Sequence, residues 1–102
     1  KTKADYKKSE LELDQYKAQS RLEFDKTNRQ LNDAENKLNL SKSAFEQSKE
    51  AYRIVKNRFE QGLEKSSDLL ITETKMLQKE LEQLQAIFEY SYTRQYLQFI
   101  TN

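Results

Sequence analysis

The chain has one glycine and no proline in 102 residues. These are the two residues that interrupt helices. Proline removes a backbone donor and collides with the preceding turn, and glycine loses the most backbone entropy on ordering. A chain nearly free of both, and rich in Lys, Glu, Gln and Leu, reads as long helix. Nucleotide-loop folds, sandwiches and turn-rich enzymes each need several glycines at positive φ, and are excluded. Apolar residues make up 35% of the chain and charged ones 34%, too little apolar surface for a conventional globular core. Six tyrosines and five phenylalanines nevertheless set it apart from disordered sequence. The length admits one small domain.

The absence of Cys and His removes disulfides, thiolate and imidazole metal ligands, and every nucleophile scheme that relies on a Cys or a His base. Paired carboxylates such as Asp33/Glu35 and Glu80/Glu82 are two residues apart, on different faces of a helix, and cannot cooperate as acid and base. No catalytic constellation emerges, and no cofactor or metal is expected. Eighteen basic against seventeen acidic residues leave a net charge of +1, with signs interspersed. That argues against nucleic acid and against a membrane-surface binder, both of which need a basic stripe. The longest uncharged stretch, Gln95–Asn102, is far too short to cross a bilayer. Nothing at Lys1 resembles a signal peptide. The chain opens in mid-pattern, so it is expected to be a segment of a longer protein.

The single glycine places the turn. Gly62 is where a helix C-terminus can turn left-handed. Ser66 or Ser67 then supplies an N-cap, and Asp68 falls in the first turn, where the helix dipole favours a carboxylate. The expected layout is a helix over about 2–61, a turn at 62–66 and a helix over about 67–100. This is an all-α, antiparallel helical hairpin of unequal arms, about 90 and 50 Å long. Apolar spacing supports it. Leu31, Ala34, Leu38, Ser41, Phe45, Ser48, Tyr52, Val55, Phe59 and Gly62 alternate in steps of three and four. On the second helix Leu70, Thr74, Leu77, Leu81, Leu84, Phe88 and Ser91 do the same. These are coiled-coil seams. Folding at residue 64 sets Leu97 opposite residue 31, where the strict seam begins.

Each helix also has apolar residues off its seam: Leu40, Ala44, Ala51 and Ile54 on the first, and Met76, Ala86, Tyr90, Leu97 and Ile100 on the second. A helix with two apolar stripes touches two neighbours. Residues 1–30, with Leu11, Leu13, Tyr16, Leu22 and Phe24, have no partner within the chain. The hairpin is therefore expected to sit in a larger helical wall. The aromatic cluster Phe88, Tyr90, Tyr92, Tyr96 and Phe99 alternates with acid and amide rather than with Lys or Arg, and reads as interhelix packing rather than base stacking.

The residues around the turn carry a resemblance. Ala51-Tyr52, Val55, Arg58-Phe59-x-x-Gly62-Leu63, Asp68-Leu69-Leu70, Glu73, Leu77, Leu81, Ala86, Phe88-Glu89-Tyr90 and Leu97 resemble the TolC family of outer-membrane efflux proteins. That family has an Arg-aromatic-x-x-Gly-Leu turn, an Asp-Val/Leu-Leu helix start and a Tyr-Asp-Tyr-like segment before a closing Leu. The likeness spans residues 51–97, and residues 1–50 are compatible with the long helix that precedes the turn. The resemblance implies a homotrimer whose hairpins form a hollow α-barrel in the periplasm, topped by an outer-membrane β-barrel absent from this chain. It also implies a tip that docks a periplasmic adaptor (membrane fusion) protein coupled to an inner-membrane pump, for efflux or type I secretion. Arg58, Phe59, Gly62 and Leu63 match the docking turn, and Asp68 matches an acidic position at the channel entrance.

The sequence departs from that pattern at several positions. Phe59 replaces the commoner Tyr, Ile71 stands where some members carry a second acid, and Lys65 replaces a small polar residue. Thr101-Asn102 lacks the Gly that often follows. Each matching residue also has a plainer role: Gly62 as a helix C-cap, Asp68 and Arg58 as complements to helix dipoles, Phe59 as seam packing. The competing expectation is a soluble coiled-coil scaffold or adaptor hairpin with no channel. A free hairpin of that kind has one buried seam and a polar back, whereas a barrel wall needs two apolar flanks.

Overall fold

The computed structural model describes residues 2–101; Lys1 and Asn102 lie outside them. Two helices, α1 (Thr2–Glu60) and α2 (Ser66–Thr101), run antiparallel around a turn at residues 61–65. The expected turn at 62–66 lies one residue further on, the usual scatter of helix ends. The molecule is a rod of 90 × 16 × 15 Å, and its long dimension is the length of α1, 59 residues rising about 1.5 Å each.

Local interactions favour helix along both arms. Glu46 pairs with Lys49 at 3.1 Å, Glu50 with Arg53 at 2.6 Å and Lys79 with Glu82 at 3.3 Å, all one turn apart. Lys49 also lies 4.8 Å from the centre of the Phe45 ring. The hydrogen bonds and charge of Arg53 hold the Glu50 carboxyl below its ordinary pKa and raise that of the guanidinium. Exposed pairs like these contribute little to stability. The hairpin depends on its seam.

On α1 the seam is the one the spacing predicts, with one further step toward the N-terminus. Thr27, Leu31, Ala34, Leu38, Ser41, Phe45, Ser48, Tyr52 and Val55 are buried or half-buried. Phe59 and Gly62 lie at the exposed tip. On α2 the expected seam is wrong. Leu70, Thr74, Leu77, Leu81, Leu84, Phe88 and Ser91 are all exposed, and the side facing α1 is Leu69, Thr72, Met76, Lys79, Gln83, Ala86, Tyr90, Thr93, Leu97 and Ile100. Both sets obey the three-and-four spacing. Spacing therefore does not choose between them; the turn decides which set faces inward, because it fixes the rotation of α2 about its own axis.

Two cross-helix bonds fix the register. Lys37 Nζ meets Glu89 Oε2 at 3.3 Å, and the Tyr96 hydroxyl donates to Glu23 Oε1 at 3.1 Å. In a regular antiparallel coiled coil these pairs flank the core, and they set Ala34 level with Tyr90, Leu38 with Ala86 and Thr27 with Leu97. The register is symmetric about residue 62 rather than 64, so Leu97 lies level with Thr27 and not with residue 31. Small side chains therefore face large ones. This explains why the most deeply buried residues are small: Thr27 (1% exposed), Ala34 (4%) and Ala86 (3%).

The half-buried seam hydroxyls bond within their own helices. Ser41 donates to the Leu38 carbonyl, Ser48 to Phe45, Thr72 to Asp68 and Thr93 to Glu89, at 2.7–2.8 Å. Among the described residues α2 reaches Thr101, level with Glu23; residues 3–26 are exposed, including Tyr6, Leu11, Leu13, Tyr16 and Leu22.

Two expectations follow. In dilute solution Ala86→Leu should destabilise the hairpin by about 1–3 kcal/mol through overpacking, while Leu81→Ala should change it by less than about 0.5 kcal/mol. Thermal melts followed by circular dichroism measure both, and a reversed order would restore the leucine stripe to the seam. The second concerns Tyr96, whose pKa is raised above 10.0 by its hydrogen bond to Glu23 and by the carboxylate charge. A raised folded-state pKa means that this contact stabilises fully below the ordinary tyrosine value and is lost as pH rises through the raised one. Glu23→Gln should move the Tyr96 titration down, read as the difference in tyrosinate absorbance against Tyr96→Phe.

Candidate functional site: the hairpin tip and two apolar flanks

The tip is built by backbone chemistry. The amide of Leu63 donates to the Arg58 carbonyl at 2.8 Å and that of Gly62 to the Phe59 carbonyl at 3.0 Å. This pair of bonds is the Schellman closure of a helix C-terminus. It requires a left-handed residue after the cap, and Gly62 has φ = 76°. Nothing lies within 4 Å of where a Cβ would stand, so the demand for glycine is conformational and not steric. Arg58 Nε pairs with Glu64 Oε1 at 3.1 Å, tying the last turn of α1 to the loop.

The start of α2 differs from expectation. The Lys65 carbonyl accepts from the amides of Asp68 (3.1 Å) and Leu69 (3.2 Å), so Lys65 holds the N-cap position and Ser66 is already helical. Asp68 does lie in the first turn of α2, exposed, where its charge complements the dipole.

Of the residues expected to dock a partner, Gly62 shapes the turn and Leu63 projects from it, 64% exposed. Phe59 is exposed at the tip, less so than Leu63, and Arg58 is engaged by Glu64. Sequence reasoning overlooked Glu64 and the capping role of Lys65. An acid six residues after Arg58, across a glycine turn, was the available signal for the first.

Two apolar flanks extend away from the tip. On α1, Leu40 and Ala44 line a shallow groove with Glu82, Gln85 and Ala86 of α2, bounded by the Lys37–Glu89 pair; Ile54 continues the stripe, exposed. On α2 the leucine face lies about 150° around the helix from the buried seam. The hairpin thus has an apolar stripe on the flank of one helix and another on the back of the other. Among the described residues no group of His, Cys, Asp and Glu is arranged to hold a metal ion, and no helix is long and apolar enough to cross a membrane.

Compared with known proteins, the chain matches no family model, no curated protein and no solved structure.

Gly62→Ala should cost about 1–2 kcal/mol, the penalty of left-handed backbone for an L-residue. Gly62→Asn should cost less, because asparagine tolerates that conformation. Thermal melts of the two variants test this, and equal melting temperatures for Ala and Gly would refute the conformational account.

Proposed function

We propose that the chain is the periplasmic hairpin of a TolC-like outer-membrane channel protein, a non-enzymatic wall segment whose turn docks a periplasmic adaptor protein. The observation that carries this reading is the pair of apolar flanks. A self-sufficient hairpin buries one seam and turns a polar back to water, whereas this one leaves a leucine-rich face and a second apolar stripe open. Stripes on different helices and different sides suit side-by-side packing, in which one hairpin's flank meets the next hairpin's back and the ring closes by symmetry. In the proposed assembly, a homotrimer of the full-length parent, the overhang of α1 beyond Glu23 lies against other parts of that parent. The inner-membrane pump provides the driving force.

At the tip, Gly62 holds Leu63 outward, while the Arg58–Glu64 pair keeps the loop compact for contact with an adaptor. Phe59, 38% exposed, offers a second apolar side chain at the tip. Asp68, repeated by three-fold symmetry, would concentrate negative charge at the channel entrance and raise the local cation concentration.

The test has two arms. The full-length parent, extracted from cell envelopes in detergent, should have the mass of a trimer and fractionate with the outer membrane. A soluble monomer or dimer would leave a coiled-coil scaffold instead. Given the trimer, Leu63→Asp should weaken adaptor binding at least about tenfold, with the helical signal unchanged. Full binding by that variant, or by a still-folded Gly62→Val, would remove the docking role from this turn.

A further inference from the structure

We infer that the exposed leucine face of α2 is self-complementary, and that the free hairpin pairs through it with a second copy of this chain, antiparallel, about a two-fold axis near Glu82 and Gln83. The face is a complete coiled-coil seam with nothing packed on it. Leu70, Leu77, Leu81, Leu84 and Phe88 are 46–73% exposed and follow the seven-residue repeat throughout. Because α1 packs on nearly the opposite side of α2, a second copy can approach unobstructed. Together the two copies make a flat layer of four helices.

The sequence of the face chooses its own register. With the axis near residues 82 and 83, Leu81 lies level with Leu84 of the second copy, Leu77 with its Phe88 and Thr74 with its Ser91. Large apolar side chains meet large ones, and small hydroxyls meet small hydroxyls. Along the edges, Glu73 comes level with Arg94 of the second copy and Ile71 with its Tyr92. Symmetry makes each of these pairs twice. Sliding by one heptad sets Leu84 against Thr74 and brings the two Glu80 carboxylates together. A parallel pairing leaves Glu73 and Arg94 about 30 Å apart. Ile71 (54% exposed) and Tyr92 (73%) border the leucine row, so the apolar strip offered to the second copy is continuous over more than three helical turns.

The inference concerns the hairpin free of any larger assembly and does not rest on the channel reading. The test uses the 102-residue chain alone, so its outcome is separate from the mass of the parent. Sedimentation equilibrium should show a monomer–dimer equilibrium. Arg94→Glu should weaken it about tenfold, and adding Glu73→Arg should restore it, with helicity unchanged throughout. The chain has no cysteine, so Gln78→Cys mixed with Gln85→Cys should oxidise to a mixed disulfide dimer. A monomer at the highest attainable concentration, a trimer, or Leu81→Cys cross-linking to itself in preference to the mixed pair would each overturn the proposal.

Discussion

Everything in this hairpin depends on how the turn at Gly62 orients α2. A helix ended by a left-handed residue leaves its last carbonyls bonded to the loop, and the chain reverses within five residues. That closure sets the rotation of α2 about its axis and its level along α1. The small-against-large layers of the seam, the Lys37–Glu89 and Glu23–Tyr96 bonds, and the identity of the residues left facing water all follow from this one setting. A turn one residue longer would rotate α2 by about 100° and bring a different stripe inward.

This is also why the sequence was legible on one arm and misleading on the other. α1 has a dominant stripe through Leu31, Leu38, Phe45 and Tyr52, so periodicity alone identified it. α2 has two stripes of equal regularity. Spacing cannot choose between them: Leu70, Leu77, Leu81 and Leu84 were expected in the seam and Met76, Ala86, Tyr90, Leu97 and Ile100 off it, and the structure has them the other way round. The correct stripe contains Lys79, Gln83 and Thr93, which composition discounts. The same lack of three-dimensional information moved the register centre from residue 62 to 64 and the N-cap from Lys65 to a serine. The position of the turn needed no such information, since only Gly62 could supply the conformation. Glu64 was missed because its partner lies across the turn.

The polar content of the seam has its own logic. Serine and threonine hydroxyls that bond to carbonyls one turn back bury their polarity without tying the helices together. Cross-helix specificity is left to the two edge bonds and to the fit of small against large. Such an interface brings the helix backbones close, yet each arm keeps its own hydrogen bonding complete.

The dimensions of the rod have a mechanical consequence. A body 90 Å long and 16 Å wide is a lever, and its two ends differ in construction. The tip end pairs two helices and is closed by hydrogen bonds; among the described residues the far end, below Glu23, is a single helix. Bending is easiest where one helix stands alone. A flexure of only about 5° in the middle of that stretch would sweep the distant turn through about 6 Å, roughly one helical repeat. Displacements that begin as small adjustments in the lone stretch of α1 therefore arrive at Gly62 as large ones, while the coiled-coil segment between them travels as a stiff arm.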